Sequence, residues 1–328
     1  MPARPARKST LTAWTITDAK KGMDVQVEGV ARALGLEYAA KHVAPRGPWR
    51  WLAPWIGTDP RERFGSAGSQ FAQPWPDLAL ATGRLSIPAL RAVRKASPET
   101  LTVVIQDPRT GTGTADLIAV PAHDALEGEN VIKTLTAPHG FSPDRLARLR
   151  KSVPKNIAAL PGQTAIVVLG GPNAVYRFTQ DDSRRLAGAL SSMARHDLGF
   201  LVTASRRTPG HVLDATRDAL AGTPHIVWDG NGENPYESWL AHGDLFVVTA
   251  DSVNMTGEAC VTGKPVYVFH PQGGSKKFEK FHENLRRYGA TKPLPEHFGN
   301  LESWAYTPLD SASQIADEIR RRWPKFAA

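Results

Sequence analysis

The sequence predicts an α/β protein of two doubly wound units, each a mostly parallel sheet covered by helices on both faces. Three observations predict it. Short apolar runs alternate with helical periodicity through the first half, the pattern breaks once in a proline- and glycine-bearing stretch, and it then restarts to the end of the 328 residues. Continuously apolar strands are what a sheet buried on both faces requires.

In the first half, Leu11 to Thr17 reads as a strand, Val27, Val30, Ala31 and Leu34 recur at helical spacing, and Leu36 to Val43 reads as a second strand. This is a β-α-β unit. Asp77 to Thr82 follows, then a helix from about Ile87 to Lys95 with Ser86 placed to cap it, then the strand-like runs Leu101 to Gln106, Asp116 to Pro121 and Val131 to Thr136. Ser152 to Gly162 (SVPKNIAALPG) has the composition of an interdomain connection, which sets the expected domains at 1–155 and 156–328. In the second, Ala165 to Leu169, Phe200 to Ala204, His225 to Trp228, Leu245 to Thr249 and Pro265 to Phe269 read as strands. Helical stretches at about Lys276 to Tyr288 and Ser313 to Arg322 come after the final strand and are expected to pack back on the first domain. Two such halves imply a cleft, with ligands near the carboxyl ends of the strands.

Composition narrows the function classes. A hydrophobic fraction of 41% with 22% charged residues describes a folded chain, and no run approaches the roughly 18 apolar residues of a membrane-spanning helix. Forty Lys plus Arg against 32 Asp plus Glu, a formal charge of +8, favours an anionic partner such as a phosphorylated metabolite, a lipid surface or nucleic acid. Cys260 is the single cysteine, so no intramolecular disulfide forms and cytosolic residence is the expectation. Arg4, Arg7 and Lys8 precede the first acidic residue, Asp18, and read as a basic tail. The ten histidines show no metal-site spacing, and the chain has no GxSxG elbow, no GxGxxG fingerprint and no RNA- or DNA-binding motif. Gly257 to Lys264 (GEACVTGK) is one residue too long for a phosphate loop, and Pro265 stands where a magnesium-binding Ser or Thr belongs. No metal site and no nucleic-acid partner are expected.

The candidate site residues sit at strand ends. After the first strand, Asp18, Lys20, Lys21 and Gly22 form a polar loop in which a lysine can face an anion and Asp18 can act as a general base. An acid that caps helix amides is the alternative. Thr82-Gly83-Arg84, Gln106-Asp107-Pro108-Arg109 and His123-Asp124 follow three further strands, although a local Asp107–Arg109 pair accounts for those two residues without a ligand. In the second half, Gly170, Gly171 and Asn173 make a turn through which a ligand can approach the backbone, and Arg206 and Arg207 can neutralise phosphate oxygens. Solvated arginines are the alternative. Ser252, Val253 and Asn254 combine a strand end with a helix start whose amides suit a pyrophosphate, and Glu258, about one turn on, can accept ribose hydroxyls or serve in a capping box. Trp228 to Tyr236 (WDGNGENPY) reads as a tight loop by turn chemistry alone. Arg46 to Ile56 (RGPWRWLAPWI) places Trp49, Trp51 and Trp55 beside Arg46 and Arg50, a composition for an anionic membrane surface or for a local core.

Taken together, TDAKKGMDVQVEGVARALGL, PDLALATGR, VVIQDPR, DLIAVPAHD, GGPNAVYRF, SRRTP, WDGNGENPY and TADSVNMTGEACVTGKPVYVF resemble the mitochondrial-fission family named for elongated mitochondria in plants. The match runs in order from about Trp14 to Arg322. That family is similar to B-type glycosyltransferases, so the resemblance implies two Rossmann-like domains facing a cleft and a nucleotide-sugar donor held mainly by the second. It implies donor pyrophosphate near Ser252, Val253 and Asn254, ribose near Glu258, and Gly170, Gly171 and Arg206 in the cleft. It also implies an acceptor on the first domain with Asp18 or Asp107 removing its hydroxyl proton, metal-independent transfer, and an acceptor that can be lipid-linked. A non-catalytic, membrane-peripheral adaptor that keeps the same fold is the second functional class.

Overall fold

Apolar central strands leave each sheet both faces to bury, and every pairing of the named strands among the described residues is parallel. The computed structural model describes residues 11–228 and 230–327; the basic tail at Arg4, Arg7 and Lys8, and Asp229 of the WDGNGENPY loop, lie outside them. The chain divides into two compact units, one of residues 1–140 and 310–328 and one of residues 141–309.

The first unit holds β1 (Thr12–Thr17), α1 (Lys21–Ala33), β2 (Glu37–His42), α2 (Gly47–Leu52), β3 (Leu78–Thr82), α3 (Ile87–Ala96), β4 (Leu101–Ile105), β5 (Leu117–Pro121) and β6 (Val131–Thr134). The second holds α4 (Pro143–Leu149), α5 (Lys155–Ala158), β7 (Gln163–Leu169), α6 (Gln180–Met193), β8 (Leu198–Ala204), α7 (Gly210–Ala219), β9 (His225–Trp228), α8 (Tyr236–His242), β10 (Leu245–Thr249), α9 (Val253–Cys260), β11 (Val266–Phe269), α10 (Lys276–Tyr288) and β12 (Thr291–Pro293). The final helix, α11 (Ser311–Arg322), returns to the first unit. The six-stranded sheets run β2-β1-β3-β4-β5-β6 and β12-β11-β10-β7-β8-β9.

Alternation sorts the first sheet's side chains to its two faces. Ala13, Leu78, Leu80, Val103, Ile105 and Leu117 pack with Val27, Val30 and Ala31 of α1 and with Ala312, Ile315, Ala316 and Ile319 of α11. Trp14, Ile16, Ala79, Ala81, Val104 and Ile118 face the other way, onto Ile87, Leu90 and Val93 of α3 and onto Phe71. In the second sheet Val167, Leu169, Phe200, Val202 and Val247 pack on Leu186, Leu190 and Met193 of α6. Close packing of α1 rests on Gly29, where a Cβ would run into the His139 backbone.

Four local expectations are corrected. Residues 141–155 belong to the second unit, because Arg145 forms a two-pronged ion pair with Glu237 and the Arg150 guanidinium donates to the Ala241 carbonyl (2.6 Å). The proline-rich connection therefore lies inside that unit, and its middle forms α5. Of the two last helices only α11 rejoins the first unit; α10 stays in the second with Phe281 and Leu285 buried. Ser86 occupies the cap position of α3, but its hydroxyl donates back to the carbonyls of Thr82 (2.9 Å) and Gly83 (2.7 Å) instead of accepting a helix amide.

Removing core volume from α11 should destabilise the first unit although the helix lies at the far end of the chain. Ile315 is fully buried, and Ile315→Ala should cost about 2–5 kcal/mol in urea unfolding. An unchanged midpoint would show that α11 is not part of that core.

Candidate functional site

Each sheet has one point at which chain order reverses direction, between β1 and β3 in the first and between β7 and β10 in the second. Successive loops there leave on opposite faces, which opens a crevice at the carboxyl edge. Asp18, Asp107, Gly170, Gly171, Asn173, Arg206, Arg207 and Ser252 fall in loops at or beside one of these two points, Lys21 and Gly22 open α1, Val253, Asn254 and Glu258 lie in α9, and His123 and Asp124 follow β5, away from the reversal.

In the second unit the organising group is Asp251, just after β10. Its side chain is fully buried. The Gly170 N–H donates to Thr249 Oγ1 (2.8 Å), the Thr249 hydroxyl donates to Asp251 Oδ1 (2.6 Å), and the Gly171 N–H donates to Asp251 Oδ2 (2.9 Å). Arg207 approaches Asp251 Oδ2 at 3.7 Å and donates to the Pro172 carbonyl (2.8 Å), while Thr208 donates to the Gly170 carbonyl (2.6 Å). Burial pushes the Asp251 carboxyl up, opposed by the Thr249 hydroxyl, the Gly171 amide and Arg207. Behind it, burial pushes His282 of α10 down to about 4, so the neutral ring donates its Nε2 proton to the Ala250 carbonyl (2.8 Å).

This network changes the meaning of several predicted residues. A Cβ at Gly170 would overlap the Asp251 carboxylate and one at Gly171 the Arg207 backbone, so these glycines make room for the protein's own groups. Asn173 is likewise engaged, its Oδ1 accepting the amides of Val175 and Tyr176 (both 2.9 Å). Arg207 ties two strand-end loops together. Both arginines are exposed, but Arg206 makes no side-chain bond to the described residues, so of the two it is the one uncommitted within the protein. Neither Asp251 nor Tyr236 stands out in the sequence as a site residue. The only signal for Asp251 is an acid between a fully apolar strand and a helix cap.

The start of α9 is where the network ends and open donors begin. Ser252 caps the helix and accepts the Met255 amide (3.4 Å). Val253 and Asn254 are then first-turn residues whose amides have no acceptor within the helix, at its positive end. Glu258 lies too far along the helix for a capping box, and its carboxylate instead accepts the Tyr236 hydroxyl at Oε2 (2.9 Å). Its Oε1 accepts nothing from the described residues. Burial pushes the Glu258 carboxyl up to about 7, opposed in part by the Tyr236 bond.

In the first unit, the loops after β1, β3 and β4 and the start of α2 enclose a cavity of about 600 Å³. Asp18 and Asp107 both line it, so the structure brings the two predicted carboxylates into one space. Asp18 caps no helix; Lys20 holds its Oδ2 (2.5 Å) and its Oδ1 is buried without a partner. Asp107 accepts the Arg109 backbone amide (2.8 Å), not its guanidinium. Behind the cavity, buried Gln26 accepts the Gln106 side-chain amide (3.1 Å) and steadies the β4 loop. On α2, Trp51 is 74% and Trp55 beyond it 62% exposed, so the local-core reading fails for both, while Trp49 is half-buried.

Two six-stranded parallel sheets flanked by helices, each with polar loops at its switch point, define a protein of the B-type glycosyltransferase-like fold. A UDP-GlcNAc 2-epimerase from Methanocaldococcus jannaschii shares it with a TM-score of 0.54 at 9% identity, over 95% of this chain and 99% of that one. A putative UDP-N-acetylglucosamine 2-epimerase from Listeria monocytogenes does so at 0.53 and 12% identity, over 96% and 97%. Within that class the chain belongs to the mitochondrial fission ELM1 family, whose pattern matches residues 21–323. The mitochondrial fission protein ELM1 of Arabidopsis thaliana is 30% identical over 295 residues, covering 82% of this chain and 69% of that protein. An uncharacterised protein of Rickettsia prowazekii, RP120, is 30% identical over 163 residues, covering 48% of this chain and 46% of that protein. Among the described residues no helix is long and apolar enough to cross a membrane.

The half-buried acid on α9 makes stability depend on pH. Glu258 keeps its proton in the folded chain up to about 7 against an ordinary 4.5, so the native state loses stability as pH rises through that window. Glu258→Gln has no such proton to lose. Relative to wild type it should gain up to roughly 2–3 kcal/mol between about pH 5 and pH 8 in urea unfolding. A difference independent of pH would show that the carboxylate is solvated.

Proposed function

We propose that this chain is a glycosyltransferase-like protein that binds the diphosphate of a nucleotide sugar at the second unit's switch point. The sugar is transferred, without a metal, to an acceptor hydroxyl at the first unit's switch point. The observation that supports this most is the start of α9, where the Val253 and Asn254 amides and the Ser252 cap stand free of the Asp251 network beside it. In this reading Gly170, Gly171, Asn173 and Arg207 hold the turn in shape, and Arg206 meets the phosphate oxygens. Glu258, with one oxygen on Tyr236 and one open, receives the ribose hydroxyls. The helix end and Arg206 supply the positive charge that stabilises a leaving diphosphate. Asp18 or Asp107 takes the acceptor's proton. An M. jannaschii UDP-GlcNAc 2-epimerase of this fold (TM-score 0.50, 11% identity, 94% of this chain and 99% of that one) is described in complex with UDP-GlcNAc and UDP, which makes a uridine nucleotide the first ligand to try.

Calorimetry with UDP and the other nucleoside diphosphates tests the donor side. Above pH 7, where Glu258 is ionised, charge-assisted bonds from ribose hydroxyls are worth about 1.5–3 kcal/mol, so Glu258→Ala should there weaken binding roughly 10-fold to 150-fold, and Glu258→Gln by less. One affinity for all three proteins would remove Glu258 from the site. Release of nucleoside diphosphate from a nucleotide sugar then separates an enzyme from a protein that only binds.

A second reading, a membrane-peripheral adaptor without chemistry, is favoured by the exposure of Trp51, Leu52 and Trp55 beside Arg46 and Arg50. Co-sedimentation with anionic vesicles should fall when Trp49, Trp51 and Trp55 are all changed to Ser, with circular dichroism unchanged. Equal sedimentation of the variant would end that reading.

A further inference from the structure

The cavity of the first unit is built for more than a proton acceptor. Three arginines on its lining, Arg46, Arg50 and Arg109, make no side-chain hydrogen bond or close ion pair to the described residues, Arg46 having only a longer-range attraction to Asp59. A fourth, Arg84, is committed elsewhere: it donates to the carbonyls of Arg50 (2.8 Å) and Ala53 (2.9 Å) and so fixes the end of α2 that presents Arg50. With Lys20 and Arg84 the three outnumber the two carboxylates on the same lining, Asp18 and Asp107, so the space is positive on balance, and planar guanidinium forks suit phosphate oxygens.

Asp18 adds the second requirement. Its side chain is only 10% exposed, Lys20 satisfies one oxygen, and the other is buried without a partner. A buried acceptor left unmade is costly and calls for a donor, which bare phosphate at neutral pH supplies poorly and a hydroxyl supplies well. At about 600 Å³ the cavity is the size of a small-molecule site. The backbone of Gln106 (φ 76°) and Arg109 (φ 62°) takes the left-handed conformation to hold this wall, a strain that pockets of function often carry.

We propose that this cavity binds a phosphate monoester that also bears hydroxyl groups, with the phosphate on Arg46, Arg50 and Arg109 and a hydroxyl donating to Asp18 Oδ1. Binding stands on the first unit alone. Only the further step, that this compound is the acceptor, rests on the transfer reading above. The phosphate can reach the site on a soluble sugar or polyol, or on a lipid headgroup delivered beside the exposed Trp51 and Trp55.

Calorimetry on the full chain, with glucose 1-phosphate, glycerol 3-phosphate and myo-inositol 1-phosphate as soluble probes, tests it. At least one ester should bind about tenfold or more tightly than both inorganic phosphate and glucose. Arg50→Gln with Arg109→Gln should lose that binding, whereas Arg217→Gln, at a surface arginine of α7 paired with Asp214, should not. Asp18→Asn, which keeps the side chain's shape, should erase the preference for the ester over inorganic phosphate. Vesicles containing phosphatidylinositol phosphate form the lipid arm. Capture by wild type but not by the double variant, with no response to soluble esters, keeps the site and assigns its ligand to the bilayer. No saturable binding in either arm, or binding that the double variant retains, overturns the proposal. UDP affinity measured on the same variants should not change, so loss of UDP binding in wild type would end the transfer reading and leave this site standing.

Discussion

A parallel strand can be followed only by a segment that carries the chain back to the edge where the strand began. Every strand of this protein therefore releases its chain at the same edge of its sheet. The central strands are mainly apolar, with threonines as their buried polar residues, and charged and amide side chains gather in the loops beyond β1, β3, β4, β7, β8 and β10. Where the strand order reverses, neighbouring loops part and leave room. Both groups of candidate residues lie at those reversals because of connectivity, before any side-chain chemistry is considered.

The two reversals use that room in opposite ways. In the second unit it is filled from within. Asp251 gathers Thr249, Gly171 and Arg207, the two glycines let these groups close in, and His282 anchors the neighbouring carbonyl from α10. A buried carboxylate with this many partners holds a turn rigidly, and what stays open is the helix start that it braces. In the first unit the loops leave an open space, and its wall keeps a surplus of positive side chains. One site is a braced platform, the other a receptive basin.

Much of this was legible in the sequence, because most of the described strands announce themselves as apolar runs between polar ends, and β2 and β6 follow from their place in the alternation. The twelfth, β12, has the sequence TKP and no apolar run; it exists because β11 offers it an edge. Helix α2 reads as a tryptophan loop since two prolines and a glycine bracket it, yet Arg84, distant in sequence, holds its end in place. Site residues were legible as positions and not as roles. Spacing puts Gly170, Gly171, Asn173 and Arg207 at strand edges, but whether their donors and acceptors face outward depends on Asp251, about 80 residues downstream of the glycine turn. The same holds for Glu258, whose partner Tyr236 comes from another helix.

The return of α11 has a consequence for how the chain is made. The second unit is one unbroken stretch, residues 141–309, while the first lacks a helix until residue 310 and beyond have left the ribosome. Until then Val27, Val30 and Ala31 of α1 have no Ile315 or Ile319 to cover them. The unit translated first is the one completed last. During synthesis it carries an uncovered apolar face, the kind of surface that chaperones recognise and that seeds aggregation, for as long as the ribosome takes to build the other unit entire.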